Sequence, residues 1–240
     1  VANFGGNSLS VVKVRDEDGV GVEKLDIPGS AQPSFSVFDP VSERLYVSNH
    51  GDATLRVMNW DGTEAQRLPT GTGSYGITFD ETLRRVYVAN IDGRSVSVFQ
   101  LDGAGLAAKV GDITLNCQPW NVAANANTGH LFVVCSQENQ VHVYAAPDYG
   151  YMGWLPVGQG AGESAVVDRA SNLILVSNAG DDTVSVIYDD GPVATPTPYC
   201  LPATDANEPD DLPANAPVAL MGESGQSRTL HTPGDTHWFT

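Results

Sequence analysis

Residues 86–99 read VYVANIDGRSVSVF. An apolar run ends on Asn90, four turn residues follow, and an alternating apolar/polar run begins at Ser95. Val and Tyr suit a pleated, half-buried surface and Asp92-Gly93 is turn chemistry, so the stretch predicts a hairpin of two strands. The pattern recurs four more times: from Val1-Ala2-Asn3, from Leu45 (LYVSNHGDATLRVMN), from Leu131 (LFVVCSQENQVHVY) and from Leu173 (LILVSNAGDDTVSVIY). The residues equivalent to Asn90 are Asn3, Asn49, Cys135 and Asn178. Successive spacings along the series are 46, 41, 45 and 43 residues. A period near forty with strand chemistry predicts a radial repeat of four-stranded units.

The rest of each period supplies two further strands. Ahead of the hairpins lie PSFSVFDPVSER, SYGITFDETLRR, QPWNVAANANTGH and ESAVVDRASN, each a short strand running into a turn. Behind them lie the weaker strands VEKLDIPG, AQRLPTG, AKVGDITL and MGWLPVG. No apolar run at helical spacing lasts two turns. The expected fold is therefore all-β: a partial β-propeller of four-stranded antiparallel blades over residues 1–190, with about five blades present. Hairpins are expected at 45–59, 86–99, 131–144 and 173–188. The repeated Asn has a structural reading, because Asn tolerates left-handed backbone and bonds its own turn.

The hairpins RLYVSN…ATLRVMN and RRVYVAN…RSVSVF resemble the YVTN family of β-propeller repeats, in which a Tyr-Val-Thr-Asn strand end precedes a VSVID-like strand. Ser or Ala replaces Thr here, and Cys135 replaces one Asn. Propellers of that family usually have about seven blades, so the resemblance implies that about two are lost upstream. The first residue falls inside a second strand, and the chain is expected to be cut from a longer protein.

After Asp190 the composition shifts. Residues 191–203 are a Pro/Thr-rich linker, too rigid and too poor in donors for a central strand. Residues 204–240 resemble the start of the bacterial pre-peptidase C-terminal domain, a small β-sandwich appended to exported proteins. The matching pieces are Asp205, EPDD at 208–211, Ala216, Gly222 and GDTHWF at 234–239, with the chain stopping mid-strand. Some such domains bind Ca²⁺, which takes six to eight oxygen ligands. The resemblance makes Asp205, Glu208, Asp210, Asp211 and Asp235 candidate Ca²⁺ ligands, against the plainer reading of a solvated acidic linker.

Twelve Lys and Arg stand against 29 Asp and Glu, a net charge of −17. Such a surface repels phosphate backbones and anionic headgroups, which argues against nucleic-acid partners and membrane docking. No apolar stretch approaches the length of a membrane span. An extracellular or cell-surface bacterial location is expected. Cys117 and Cys135 flank the predicted turn around Asn125–Gly129, and their numbers sum to 252, close to the 252–254 of facing residues in that hairpin. They are candidates for a disulfide.

No His-Glu-x-x-His or Gly-x-Ser-x-Gly occurs, and the five histidines lack ligand spacing. Gly71–Gly76 matches Gly-x-Gly-x-x-Gly, but no helix follows to hold a pyrophosphate, so it reads as a turn. Function is then expected on the loop face. The candidates are His50, Tyr75, Asp92, Arg94, Trp120 and Glu163, with Phe4, Glu138 and Asp182 beside them, since aromatics among charges suit a polar ligand or peptide. Tyr75 and Trp120 can equally be packed starts of inner strands. Two functional readings stay open. One is a non-catalytic scaffold for protein, peptide or glycan. The other is a propeller-type enzyme such as a lactonase-like hydrolase, which needs a converging acid/base and cation cluster at the channel mouth. Arg94 is the single cation among these loop residues, which favours the scaffold.

Overall fold

The computed structural model describes residues 1–10, 31–191 and 218–220. Among the described residues all of the regular structure is β except a three-residue 3-10 turn at Phe4–Gly6. The chain divides into two compact units, Val1–Pro119 and Trp120–Thr240.

The first unit holds a two-stranded hairpin, β1 (Ala2–Asn3) with β2 (Ser8–Leu9), and two four-stranded antiparallel sheets. One runs β3 (Pro33–Asp39), β4 (Arg44–Asn49), β5 (Thr54–Asn59), β6 (Glu64–Pro69). The other runs β7 (Ser74–Asp80), β8 (Arg85–Asn90), β9 (Ser95–Leu101), β10 (Ala107–Thr114). The second unit holds β11 (Pro119–Asn125), β12 (His130–Cys135), β13 (Gln140–Ala145) and β14 (Gly150–Pro156) in one sheet. Its other sheet is β15 (Ala161–Asp168), β16 (Leu173–Asn178) and β17 (Thr183–Tyr188), closed by β18 (Val218–Leu220).

The expected hairpins are β4–β5, β8–β9, β12–β13 and β16–β17. The expected inner strands are β3, β7, β11 and β15 and the expected outer strands β6, β10 and β14, while the outer strand expected in VEKLDIPG lies outside the described residues. Two differences stand out. Four of the five hairpins sit in four-stranded sheets among the described residues, while β1–β2 stands as a pair. The last sheet is also not wholly antiparallel, because β18 pairs parallel with β17, Val186 facing Val218. A parallel partner cannot follow through a tight turn, and 29 residues separate Tyr188 from Val218, room for the crossover such pairing needs.

Within each unit the sheets bury apolar faces against one another. In the first, Tyr46, Leu55 and Val57 pack with Ile77, Val86, Val88 and Phe99. Leu9 of β2 packs on Val47 and Met58. In the second, Phe132, Val134, Val141 and Val143 pack with Ile174, Val176 and Ile187. Alternation shows most plainly in β16, where Ile174, Val176 and Asn178 are buried between half-buried neighbours.

The turns use two recurrent devices. Each inner strand ends on Asp or Asn, whose Oδ1 accepts from the backbone N–H two residues on: Asp39 from Val41, Asp80 from Thr82, Asn125 from Asn127, Asp168 from Ala170. Each hairpin turn closes on a left-handed residue: Asn7, Ala53, Arg94, Asn139 and Asp182. The left-handed position is therefore four residues beyond the repeated Asn, not the Asn itself as the sequence suggested. The Asn side chain instead reaches the facing strand. Asn90 Nδ2 donates to Ser95 Oγ and Ser97 Oγ, both at 3.0 Å. Asn178 Nδ2 does the same to Thr183 Oγ1 at 3.0 Å and Ser185 Oγ at 2.9 Å.

Candidate functional site

The loop end of the first unit is assembled by backbone hydrogen bonds between turns and strand starts. His50 N donates to Gln32 O and Gly51 N to Ala31 O, both at 3.0 Å, which docks the β4–β5 turn on the approach to β3. Ile91 N donates to Gly73 O at 2.9 Å and Gly93 N to Thr72 O at 3.0 Å, which docks the β8–β9 turn on the approach to β7. Gly73 has φ +71°, and a Cβ there would lie 2.7 Å from Asp92 Oδ2. Only glycine allows that approach. The Gly-x-Gly-x-x-Gly stretch is thus a turn whose glycines make room for a neighbouring turn.

This construction gathers an aromatic row. The His50 ring lies 5.8 Å from Phe4 and 6.3 Å from Tyr75, and Tyr75 lies edge-on to Phe35 at 5.2 Å. Phe4 is exposed, while His50, Tyr75 and Phe35 are half-buried. His50 Nδ1 is buried with no hydrogen-bond partner among the described residues. Asp92 is exposed and held against Gly73, two residues before Tyr75, and Arg94 is exposed in the same turn. The structure therefore brings His50, Tyr75 and Asp92 to one loop end. Phe35 was not singled out from the sequence. Its signal, an aromatic two residues into an inner strand, is also what any core strand shows.

In the second unit Trp120 is half-buried at the start of β11. Gly162, φ +114°, leaves room for it: a Cβ there would lie 3.2 Å from Trp120 Cβ. Glu163 is exposed beside it, and Asn121 Nδ2 donates to Glu163 O at 3.3 Å. Trp120 and Glu163 are thus neighbours. Cys117 and Cys135 are both buried and both disulfide-bonded. The candidate Ca²⁺ ligands Asp205, Glu208, Asp210, Asp211 and Asp235 lie outside the described residues, as does most of the segment resembling a pre-peptidase domain.

Two buried polar knots went unread in the sequence. In the first unit, Arg84 Nη2 pairs with Asp39 Oδ2 at 2.7 Å, and Asp39 also accepts from Ser42 Oγ. Burial pushes the Asp39 carboxyl up, but Arg84, Ser42 and the Val41 N–H outweigh it and hold it at about 2. In the second, Asp189 meets His130 Nδ1 at 2.7 Å and accepts from Asn125 Nδ2 at 2.9 Å and from Thr128 Oγ1. Burial again raises and these donors lower, leaving Asp189 below the usual carboxylate range. Both acids are fully enclosed, so they hold turns together and are out of reach of a ligand.

No protein-family model matches the chain, and no curated protein matches it in sequence. Solved structures do. A putative 6-phosphogluconolactonase from Bacteroides uniformis aligns with TM-score 0.68 at 14% identity, over 77% of this chain and 62% of that one. A putative 6-phosphogluconolactonase from Bacteroides fragilis aligns with TM-score 0.65 at 13% identity, over 79% and 62%. Catalytically inactive H270A virginiamycin B lyase from Staphylococcus aureus, solved with quinupristin, aligns with TM-score 0.62 at 11% identity, over 78% and 62%. The chain spans less than two thirds of the length of these proteins. At such identities the likeness shows the fold alone, and that fold is β-propeller-like.

Proposed function

We propose that this chain is part of a non-catalytic, exported β-propeller scaffold with YVTN-type repeats, and that the loop end of its first unit recognises a peptide segment of a protein partner. The observation that supports this most is the row Phe4–His50–Tyr75–Phe35 with its unpartnered His50 Nδ1. An apolar side chain would cover the rings. A peptide N–H or C=O would satisfy the imidazole, and Asp92 would accept from a donor at the margin. The test is panning a displayed peptide library against the full chain, then measuring the hits against His50→Ala and Tyr75→Ala. Both variants should melt like the parent and weaken the selected peptides at least about tenfold, or 1.4 kcal/mol. Hits indifferent to both substitutions would refute the site.

The second reading is a propeller enzyme. The lactonase and lyase likenesses support it, since proteins named for catalysis have a similar fold. Lactone hydrolysis or quinupristin cleavage above the buffer blank, lost in His50→Ala, would replace the scaffold reading with this one.

A further inference from the structure

The outermost strands β6, β10 and β14 share a device: one extra residue breaks register against the neighbouring strand. Such a bulge puts two residues three apart on the same face, where a regular strand would place them on opposite faces. In the first sheet those two positions are Glu64 (facing Met58) and Arg67 (facing Arg56), joined as an ion pair at 2.9 Å. In the second they are Lys109 (facing Phe99) and Asp112 (facing Ser97), again an ion pair at 2.9 Å. Charge at these positions is what protects a sheet edge from pairing with other chains.

In the third sheet the same two positions are Tyr151 (facing Tyr144) and Trp154 (facing His142). Both leave about half of their surface to solvent: Tyr151 is 55% exposed and Trp154 48%, with Met152 exposed between them. The Tyr151 ring lies 5.4 Å from Tyr144 and 5.6 Å from His142, so one sheet face carries two rows of rings in which Tyr151 and Trp154 are exposed, His142 is half-buried and Tyr144 is the buried floor. The rows are two residues apart, roughly 7 Å. None of the four carries charge at neutral pH. Burial pushes His142 below the usual imidazole range against a smaller opposing pull from Glu138, and burial pushes both tyrosines up. This is an uncharged shelf on a chain of net charge −17.

We propose that the His142–Tyr144–Tyr151–Trp154 shelf is a binding platform for a neutral oligosaccharide. A sugar ring has an apolar C–H face and a hydroxyl rim, and the shelf offers flat ring faces edged by phenol, indole and imidazole groups that hydrogen-bond. Two rows roughly 7 Å apart suit successive sugar units. The lack of charge matches a neutral ligand. A partner strand is a poorer fit, because the bulge, Gly153 and Pro156 interrupt the outer edge of β14 as a hydrogen-bonding template. This platform is separate from the loop end proposed above.

The test is calorimetric titration of the full chain with cellohexaose, xylohexaose and chitohexaose, alongside sedimentation of the protein alone. At least one oligosaccharide should bind with Kd below about 1 mM. Trp154→Ala and Tyr151→Ala should each weaken it at least tenfold with unchanged melting, while Trp154→Phe keeps most of the affinity. No binding by any of the three, or binding indifferent to both alanine substitutions, overturns the proposal. So does a concentration-dependent dimer abolished by Trp154→Ala in the absence of oligosaccharide binding, since the shelf would then be a self-association face.

Discussion

Asn178 shows why a single residue type returns every forty positions. Its amide bridges to Thr183 and Ser185 across the hairpin, while a Cβ at Gly158 would lie 2.6 Å from its side chain. Asn90 and Gly71 repeat the arrangement, at 2.8 Å. The amide and the glycine are therefore coupled. Gly158→Ala should destabilise the protein by about 1–3 kcal/mol, and markedly less in an Asn178→Gly background, which also removes the Asn178 Cβ that would lie 2.8 Å away. A double-mutant cycle in urea reads the difference, and additive costs would show the two sites to be independent. Asp39 makes a second prediction. Its folded value of about 2 lies below the ordinary 3.8, so its stabilisation is complete above about pH 4 and fades as pH falls towards 2. Asp39→Asn should cost about 2 kcal/mol at neutral pH and almost nothing near pH 2. Equal losses at both pH values would mean that the ion pair with Arg84 is not the source.

At the scale of the element, the outer strands decide what each sheet shows to solvent. In β6, Glu64 serves both Arg67 and Arg56, and Arg56 is only 3% exposed. Removing the carboxylate takes a charge-assisted hydrogen bond from an enclosed guanidinium, a loss of about 1.5–3 kcal/mol. Glu64→Ala should therefore lower the melting temperature by several degrees, whereas Glu163→Ala, at an exposed acid, should leave it near the parent value. Equal melting of the two variants would show that the Glu64–Arg56 pair contributes little to stability. The hairpins themselves were legible from residues 86–99 and their copies because turn chemistry and alternation act within about fifteen residues. The bulges were not. One extra residue leaves no mark in a weak strand such as MGWLPVG, so the side on which Tyr151 and Trp154 lie could not be read.

At the scale of the whole molecule, Cys117 and Cys135 are buried and disulfide-bonded. The sequence makes them candidates for a bridge with each other. Reduction should lower the melting temperature, since releasing a loop of this size costs roughly 3 kcal/mol. Non-reducing peptide mapping should return the two cysteines on one cross-linked fragment, and two free thiols would end the assignment. By itself, the sequence determined the all-β class, the order of strands β3 to β17, three of the four-stranded sheets to within a residue or two, and His50 and Asp92 as turn residues, while Tyr75 lies one residue into β7 and β18 went unread. Those features rest on hydrogen bonds and alternation between near neighbours, repeated five times. Only the tertiary structure decided which side chains meet between sheets. Asp39 finds Arg84, Asp189 finds His130, and His50 lies between Phe4 and Tyr75. These partners are tens of residues apart, and what joins them is the packing of one sheet face on the next, where a buried charge is tolerated only opposite its counter-charge or a set of donors.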